Sequence, residues 1–458
     1  MVLPIMMDMP FPKTNTTLYF IFFTVLVLIM TGCSKSTTLQ TVFQKQTPYE
    51  AYAASLRNAK LLNTALGSKW LGASEEAMLQ AQQIVLPYKE TGFFAAESPR
   101  AAAYQLEAKQ GEKLVINLQA NTNEPTTLFV DLFSLTPDGT LKHLAFADTA
   151  TNKLVFEVEE DQTYLLRLQP ELLRNVQYTL AITVQPTLAF PVPGRSSRNI
   201  SSVWGDPRDA GSRRHEGVDI FAPRGTPVIA SSAGYISQVN TTLRGGKVVW
   251  LTDPGRRHSL YYAHLDEQLV TTGQRVEVGD TIGLVGNTGN AGTTAPHLHF
   301  GVYRYGRGAA NPYHYLHQPP TKLPNVTANL AHLGEWVRIA TKQANIKQLP
   351  TSKSVLKSSL PRHTPLQVLS ATASWYRVAL PDGTQGYIAS SITQQVTKPI
   401  KQKTLAKPEQ LLTEARPNAI AKESLTAGTV IAVLANYNNY SLVRNKKGDM
   451  GWLYQPES

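Results

Sequence analysis

Apolar and polar positions alternate in short runs through most of this chain. Between residues 100 and 186, Leu114–Leu118, Leu128–Phe133, Leu154–Val158, Tyr164–Leu168 and Tyr178–Ile182 are strand-length apolar runs. Turn signals such as Pro137-Asp138-Gly139 separate them, which predicts a β-sandwich over residues 96–188. A longer period precedes it. Thr47-Pro48-Tyr49-Glu50 supplies an N-cap, an N1 proline and an N3 acid, and apolar Tyr52, Leu56, Ala59 and Leu62 follow at helical spacing. Ser74-Glu75-Glu76 predicts the cap of a second helix that reaches about Val85, ahead of Pro87. Residues 34–95 are therefore expected to hold a small helical pair.

Residues 189–317 carry the motifs that bear chemistry. Gln318-Pro319-Pro320-Thr321-Lys322-Leu323-Pro324 then reads as a stiff linker, 318–329. Beyond it the pattern repeats with an offset of 65 residues. Leu366-Gln367-Val368-Leu369 matches Ile431-Ala432-Val433-Leu434, Trp375–Val378 matches Tyr440–Val443, and Gly386-Tyr387-Ile388 matches Gly451-Trp452-Leu453. Two small β-barrels are expected, 330–397 and 398–458. In the first copy Trp375-Tyr376-Arg377-Val378, Pro381-Asp382-Gly383 and Gly386-Tyr387-Ile388 resemble bacterial Src-homology-type barrels, and the repeat carries the resemblance to the looser second copy. Trp375, Tyr387, Tyr440 and Trp452 read as barrel core, with a ligand groove as the alternative. The expected fold class is mainly β and multidomain.

Composition narrows the partners. Of 458 residues, 44 are Lys or Arg and 33 Asp or Glu, a formal net charge of +11. The basic residues are scattered, with no block of five or six, which favours a polyanionic wall or membrane surface over nucleic acid. The single cysteine, Cys33, excludes an intrachain disulfide. Lys13 precedes an apolar run, Leu18–Met30, too short for a comfortable membrane span, and Thr31-Gly32-Cys33 follows it. Residues 1–33 thus resemble a bacterial lipoprotein signal. The resemblance implies export and membrane attachment through a lipid on Cys33. Ser34 and Lys35 supply no acidic retention signal, so the expected location is the periplasmic side of a Gram-negative envelope, at the outer membrane.

Five side chains point to hydrolytic chemistry. His297 and His299 are two apart in an alternating stretch, so a strand would present both on one face. His215 and Asp219 straddle the entry to Val218-Asp219-Ile220-Phe221, and His264 lies in Tyr261-Tyr262-Ala263-His264-Leu265. A hydrolytic zinc site needs three protein ligands and one open position. Five candidates leave two for acid–base work, and spacing alone does not say which.

Arg214-His215-Glu216-Gly217-Val218-Asp219-Ile220, Gly225-Thr226-Pro227-Val228, Tyr262-Ala263-His264-Leu265 and His297-Leu298-His299-Phe300 together resemble the lysostaphin-type (LytM-like) zinc endopeptidases of peptidoglycan. The likeness spans about residues 198–312. It implies one Zn2+ held by His215, Asp219 and His299, with His264 and His297 facing the reacting water and the scissile carbonyl. The implied activity is hydrolysis of peptide cross-links in peptidoglycan, in a Gram-negative wall between D-alanine and diaminopimelate. A catalytically inactive or regulatory wall-binding protein that activates amidases is the alternative; such relatives usually lack a ligand, and none is missing here. A regulatory protein partner of the enzyme is left open. Other features weigh less. Glu216 is expected to be solvated, and Gly283, Gly286, Gly289 and Gly292 to form a loop beside the groove. His258 is expected to be exposed. His143, His314, His317, His332 and His363 lack partners at ligand spacing.

Overall fold

The computed structural model describes residues 46–122, 124–136 and 138–455, so Cys33 and its signal segment lie outside the described residues. The chain divides into two units, 1–51 and 52–458. In the first, Thr47 N–H donates to Glu50 Oε2 (2.9 Å) and Glu50 N–H donates to Thr47 Oγ1 (3.1 Å). This reciprocal cap opens the helix Pro48–Asn58, as the sequence pattern predicts.

The second helix, Ala65–Leu79, departs from expectation at both ends. Its N-cap is Thr64, whose Oγ1 accepts from Gly67 N–H. Ser74 lies inside the helix, where it is buried and accepts from the Arg167 guanidinium. The helix stops at Leu79 because the following residues find sheet partners instead: Gln82–Gln83 pairs parallel with the strand Ala102–Ala108. Trp70 docks this helix on the sandwich, donating Nε1–H to Pro170 O (2.8 Å), while Gln169 Nε2 donates to Trp70 O (2.7 Å).

All five apolar runs between residues 100 and 186 are strands, in two facing layers. One layer orders Gln82–Gln83, Ala102–Ala108, Gln162–Pro170, Leu128–Leu135 and Leu141–Phe146. The other contains Tyr88–Phe94, Val176–Pro186, Glu112–Asn121 and Lys153–Glu157. Inward residues such as Leu114, Leu132, Leu166 and Leu180 are fully buried, each contributing about 1.5–3 kcal/mol. Tyr88–Phe94 falls in the stretch expected to be helical, and Lys89-Glu90-Thr91 disguises it.

That strand also joins two regions that the sequence separates. Thr91 and Gly92 pair with Ala371 and Ser370, so the sandwich layer runs on into the first C-terminal barrel. Glu90, wholly buried at the join, accepts from the hydroxyls of Tyr88 (2.5 Å), Tyr104 (2.5 Å), Tyr178 (2.7 Å) and Ser370 (3.0 Å). The Arg377 guanidinium completes the cluster at 3.2 Å. Burial alone would raise the Glu90 carboxyl; Arg377 and the tyrosine hydroxyls outweigh it and hold it below the usual range.

The 65-residue repeat holds strand by strand. Trp336–Ile339, Pro365–Thr372, Trp375–Ala379 and Gln385–Ala389 recur as Lys401–Thr404, Val430–Tyr437, Tyr440–Arg444 and Met450–Tyr454. Even the irregularity recurs, between Val368 and Ser370 and again between Val433 and Ala435. Of the four aromatics expected in the barrel cores, Tyr387 and Trp452 are buried. Trp375 and Tyr440 are half-buried.

The remaining sheet positions the chemistry. Its path runs Ile200–Ser202, Val218–Phe221, His297–Arg304, His258–Gln268, Gly246–Asp253, Gly234–Thr242 and Arg275–Val276, all antiparallel. Val218, Ile220, Leu260, Tyr262, Leu298, Phe300 and Val302 form its buried side. Strand alternation therefore turns Asp219, His297 and His299 to the opposite face. At the far end of these strands the sandwich is fastened by a fork between Arg256 and Glu157, at 2.8 and 2.7 Å.

Candidate metal centre

Register brings the candidate ligand residues together. Asp219 lies opposite His299, and Phe221 opposite His297, across one strand pair. His215 enters from the loop just before this pair, fixed by its N–H to Asp206 O (2.9 Å). The outcome is a triangle of donor atoms. His215 Nε2 is 2.9 Å from His299 Nδ1 and 3.1 Å from Asp219 Oδ1, and His299 Nδ1 is 3.0 Å from Asp219 Oδ1. It is the one grouping of three metal-ligand side chains among the described residues.

The protons on these rings follow from their outer partners. His215 Nδ1 lies 2.9 Å from Val203 O, which can only accept, so Nδ1 carries the hydrogen and Nε2 presents a lone pair inward. Asp219 presents a carboxylate. Burial would raise its carboxyl, but contacts from His215 and His299 prevail and hold it far below the usual range. Burial likewise lowers the His299 ring. A neutral imidazole lone pair and an anionic oxygen about 3 Å apart, and buried, are compatible with a cation among them. Ligand atoms each about 2.0–2.2 Å from a common ion lie at about this mutual separation.

Two features tighten the triangle. Gly217 leaves room for the His299 ring: a Cβ there would come within 2.6 Å of His299 Cε1. Arg208, which motif reading missed, donates Nη2–H to the outer Asp219 oxygen, Oδ2 (2.7 Å), and to Ser202 Oγ (2.6 Å). Ser202 Oγ in turn donates to Asp206 Oδ2 (2.8 Å) and lies 3.3 Å from His215 Nδ1. Both candidate ligands are thus braced from outside by the segment 202–208. The only sequence signal was an arginine among acids, Asp206-Pro207-Arg208-Asp209, with no periodicity to place it.

His264 and His297 complete the face, their ring centroids 5.0 Å apart, with His264 6.0 Å from His299. His264 has φ 63°, a left-handed value that few non-glycine residues adopt. It sits where the register shifts between Lys247 and Val249. A bulge of this kind breaks the alternation that would otherwise put His264 on the same side as buried Tyr262. Its Nδ1 lies 2.9 Å from Thr288 O, and His297 Nδ1 lies 2.9 Å from Ala295 O. Each ring therefore keeps Nδ1–H and leaves Nε2 as a base. Burial pushes His264 down to about 4 against the opposing bond to Thr288 O, so it is neutral at pH 7.

The structure brings all five sequence candidates to one site and leaves the other histidines out. Glu216 is exposed, as expected. His258 is not: it is half-buried against Tyr315, ring centroids 5.5 Å apart. His143 has a partner that spacing could not reveal, Asp131 Oδ1 at 3.0 Å. His317 meets Ser197 Oγ (2.9 Å), His332 meets the Tyr376 hydroxyl (3.1 Å), and His314 lies 3.5 Å from Glu112.

Residues 213–312 match the sequence profile of Peptidase family M23. An L-Ala--D-Glu endopeptidase of Bacillus subtilis (strain 168) is 40% identical over 124 residues, 25% of this chain and 38% of that protein. The peptidoglycan DD-endopeptidase ShyC of Vibrio cholerae is 39% identical over 92 residues, 19% of this chain and 20% of ShyC. The chain thus spans well under half the length of either relative. The catalytic domain of lysostaphin from Staphylococcus simulans aligns with 33% identity and a TM-score of 0.23, covering 25% of this chain and 91% of that domain.

Proposed function

We propose that this chain, whose residues 213–312 form a peptidase family M23 domain, is a zinc-dependent endopeptidase that hydrolyses peptide cross-links of peptidoglycan. The observation that carries the reading is the buried triangle of His215 Nε2, His299 Nδ1 and Asp219 Oδ1, with sides of 2.9–3.1 Å. A Zn2+ ion held there supplies Lewis acidity to a substrate carbonyl and to water. The protein supplies the rest. His264 Nε2, neutral at pH 7, accepts the proton of the attacking water; His297 Nε2 is the second group able to hold or return a proton at the leaving amine. Thr288 O and Ala295 O fix both rings in the needed tautomer. Phe221, stacked on His297 at 5.0 Å, limits how that ring can turn.

Attachment of a lipid to Cys33 would tether the enzyme at the periplasmic face of the outer membrane, within reach of the wall. The test compares purified cross-linked muropeptides with a glycine-rich peptide, using the full chain and metal analysis by mass spectrometry. Wild type should contain zinc and cut muropeptides. His215→Ala should lose both metal and turnover. His264→Ala should keep the metal and lose about 10²–10⁴ in rate. Wild-type turnover by His264→Ala, or a metal-free native protein, contradicts the reading.

A further inference from the structure

The sheet face that carries Asp219, His297 and His299 continues beyond them as an aromatic strip. Its rings stand at outward positions of three strands: Trp250 on Gly246–Asp253, Tyr261 on His258–Gln268 and Tyr303 on His297–Arg304. Register puts Trp250 opposite Tyr261, and Tyr261 opposite Gly301, which lies between His299 and Tyr303. The rings follow one another outward from the metal centre. Tyr261 meets His299 edge to face at 5.8 Å, Trp250 lies 4.4 Å from Tyr261, and Tyr303 lies 5.2 Å from Trp250. The Trp250 ring is thus within about 10 Å of a candidate metal ligand, the span of about three residues of extended chain. Two glycines keep the strip close to the sheet. A Cβ at Gly301 would come within 3.0 Å of the Tyr303 ring, and one at Gly245 within 2.1 Å of the Tyr261 hydroxyl.

Packing alone does not account for these residues. Cross-strand aromatic pairs steady a sheet, but large rings gathered on a solvent-facing side mark a binding surface. All three are only half-buried. Trp250 Nε1 and the Tyr303 hydroxyl make no hydrogen bond with the described residues, and neither atom is sealed from solvent. The charges nearby offset one another. Exposed Gln238 stands opposite Trp250, and Glu216 and Arg213 act on Tyr303 with opposite sign. Arg213 is itself paired with Asp209 (2.7 Å), which Arg244 also approaches (4.0 Å).

An aromatic face with polar tips and balanced charge suits a sugar ring, whose C–H side is apolar and whose rim carries hydroxyls. The cross-link peptide offers only a methyl group at D-alanine and charged groups at diaminopimelate, and neither covers such a surface. The glycan that bears this peptide does. We propose that Trp250 and Tyr303, backed by Tyr261, form a saccharide platform that receives a pyranose of the glycan strand while the attached peptide reaches the metal centre. The inference rests on the peptidoglycan reading and narrows it: the substrate is a peptide still joined to its glycan.

The test titrates the full, metal-loaded chain with two ligands that contain no cross-link to cut. One is the disaccharide–tetrapeptide unit of a Gram-negative wall; the other is the same tetrapeptide without its sugars. Calorimetry and tryptophan fluorescence read the affinity, and mass spectrometry afterwards checks that both ligands are intact. The sugar-bearing unit should bind at least about tenfold more tightly than the bare peptide. Trp250→Ala should bring the two affinities to within about twofold, and Trp250→Phe should keep part of the difference. Equal wild-type affinity for the two ligands overturns the proposal, as does the absence of saturable binding of the sugar-bearing unit at about millimolar concentration. So does a Trp250→Ala protein that keeps wild-type melting temperature and the full preference. The wild-type comparison decides even if a variant fails to fold. A chain that prefers the sugar-bearing unit but cuts no cross-linked muropeptide sustains the platform and overturns the peptidase reading alone.

Discussion

Asp219 has two oxygens with two employments: Oδ1 faces the histidines and Oδ2 faces Arg208. The brace has a measurable size. Outer partners of metal ligands typically change affinity by about 10–100-fold, so Arg208→Ala should weaken metal binding by that factor in a chelator competition. Arg208→Lys keeps the charge but loses the fork that also holds Ser202, and should fall between. His264 gives a second number. In the metal-free protein its ring should titrate at about 4 by NMR, below the ordinary 6.5. Because folding lowers this pKa, its contribution to stability is complete above about 6.5 and is lost as pH falls toward about 4. The five candidate side chains were legible in sequence because short motifs and strand alternation mark them, while the division into ligands and acid–base groups came only from the family resemblance. The left-handed turn at His264 and the reach of Arg208 were not, since both depend on a bulge and a loop path that no periodicity encodes.

The strand Tyr88–Phe94 illustrates the limit at the level of elements. Tyr-Lys-Glu-Thr-Gly-Phe-Phe lacks the apolar alternation of its neighbours, yet it is largely buried between two strands. Partners more than eighty residues away in sequence make that possible: Tyr178 needs the space left by Gly92, where a Cβ would come within 2.5 Å of its ring. Glu90 is stable there only because every donor around it is supplied. Glu90→Gln leaves the Arg377 charge buried without its counterion and should cost about 3–5 kcal/mol in denaturant unfolding. Pairing it with Arg377→Met should recover much of that loss, since a buried ion pair is more costly to break than to replace. The sign with pH follows from the lowered carboxyl. The Glu90 contribution is present above the unfolded value of about 4.3 and disappears as pH falls through its folded value. Acid unfolding of wild type should therefore be steeper than that of the double variant.

Across the whole of residues 52–458, covalent order and structural order differ. The first barrel follows the peptidase domain in sequence but shares a sheet with the sandwich that precedes it. A chain cut after residue 329 loses Arg377, Ser370 and Tyr387 together and leaves Glu90 beside an open strand edge. It should melt well below the full chain and scatter light on heating. A chain cut after residue 397 keeps that join and should stay closer to the full chain in melting temperature. The 65-residue offset supplies the last consequence. The counterparts of Ser370, Arg377 and Tyr387 in the second copy are Ala435, Leu442 and Trp452. Whatever duplication produced the pair, its members have since become non-interchangeable. One has acquired the polar plug that closes a neighbour's interior; the other has kept an apolar flank and sets Trp452 edge to face against Trp336. Exchanging the two copies would preserve each barrel's own fold and still yield a protein that cannot assemble.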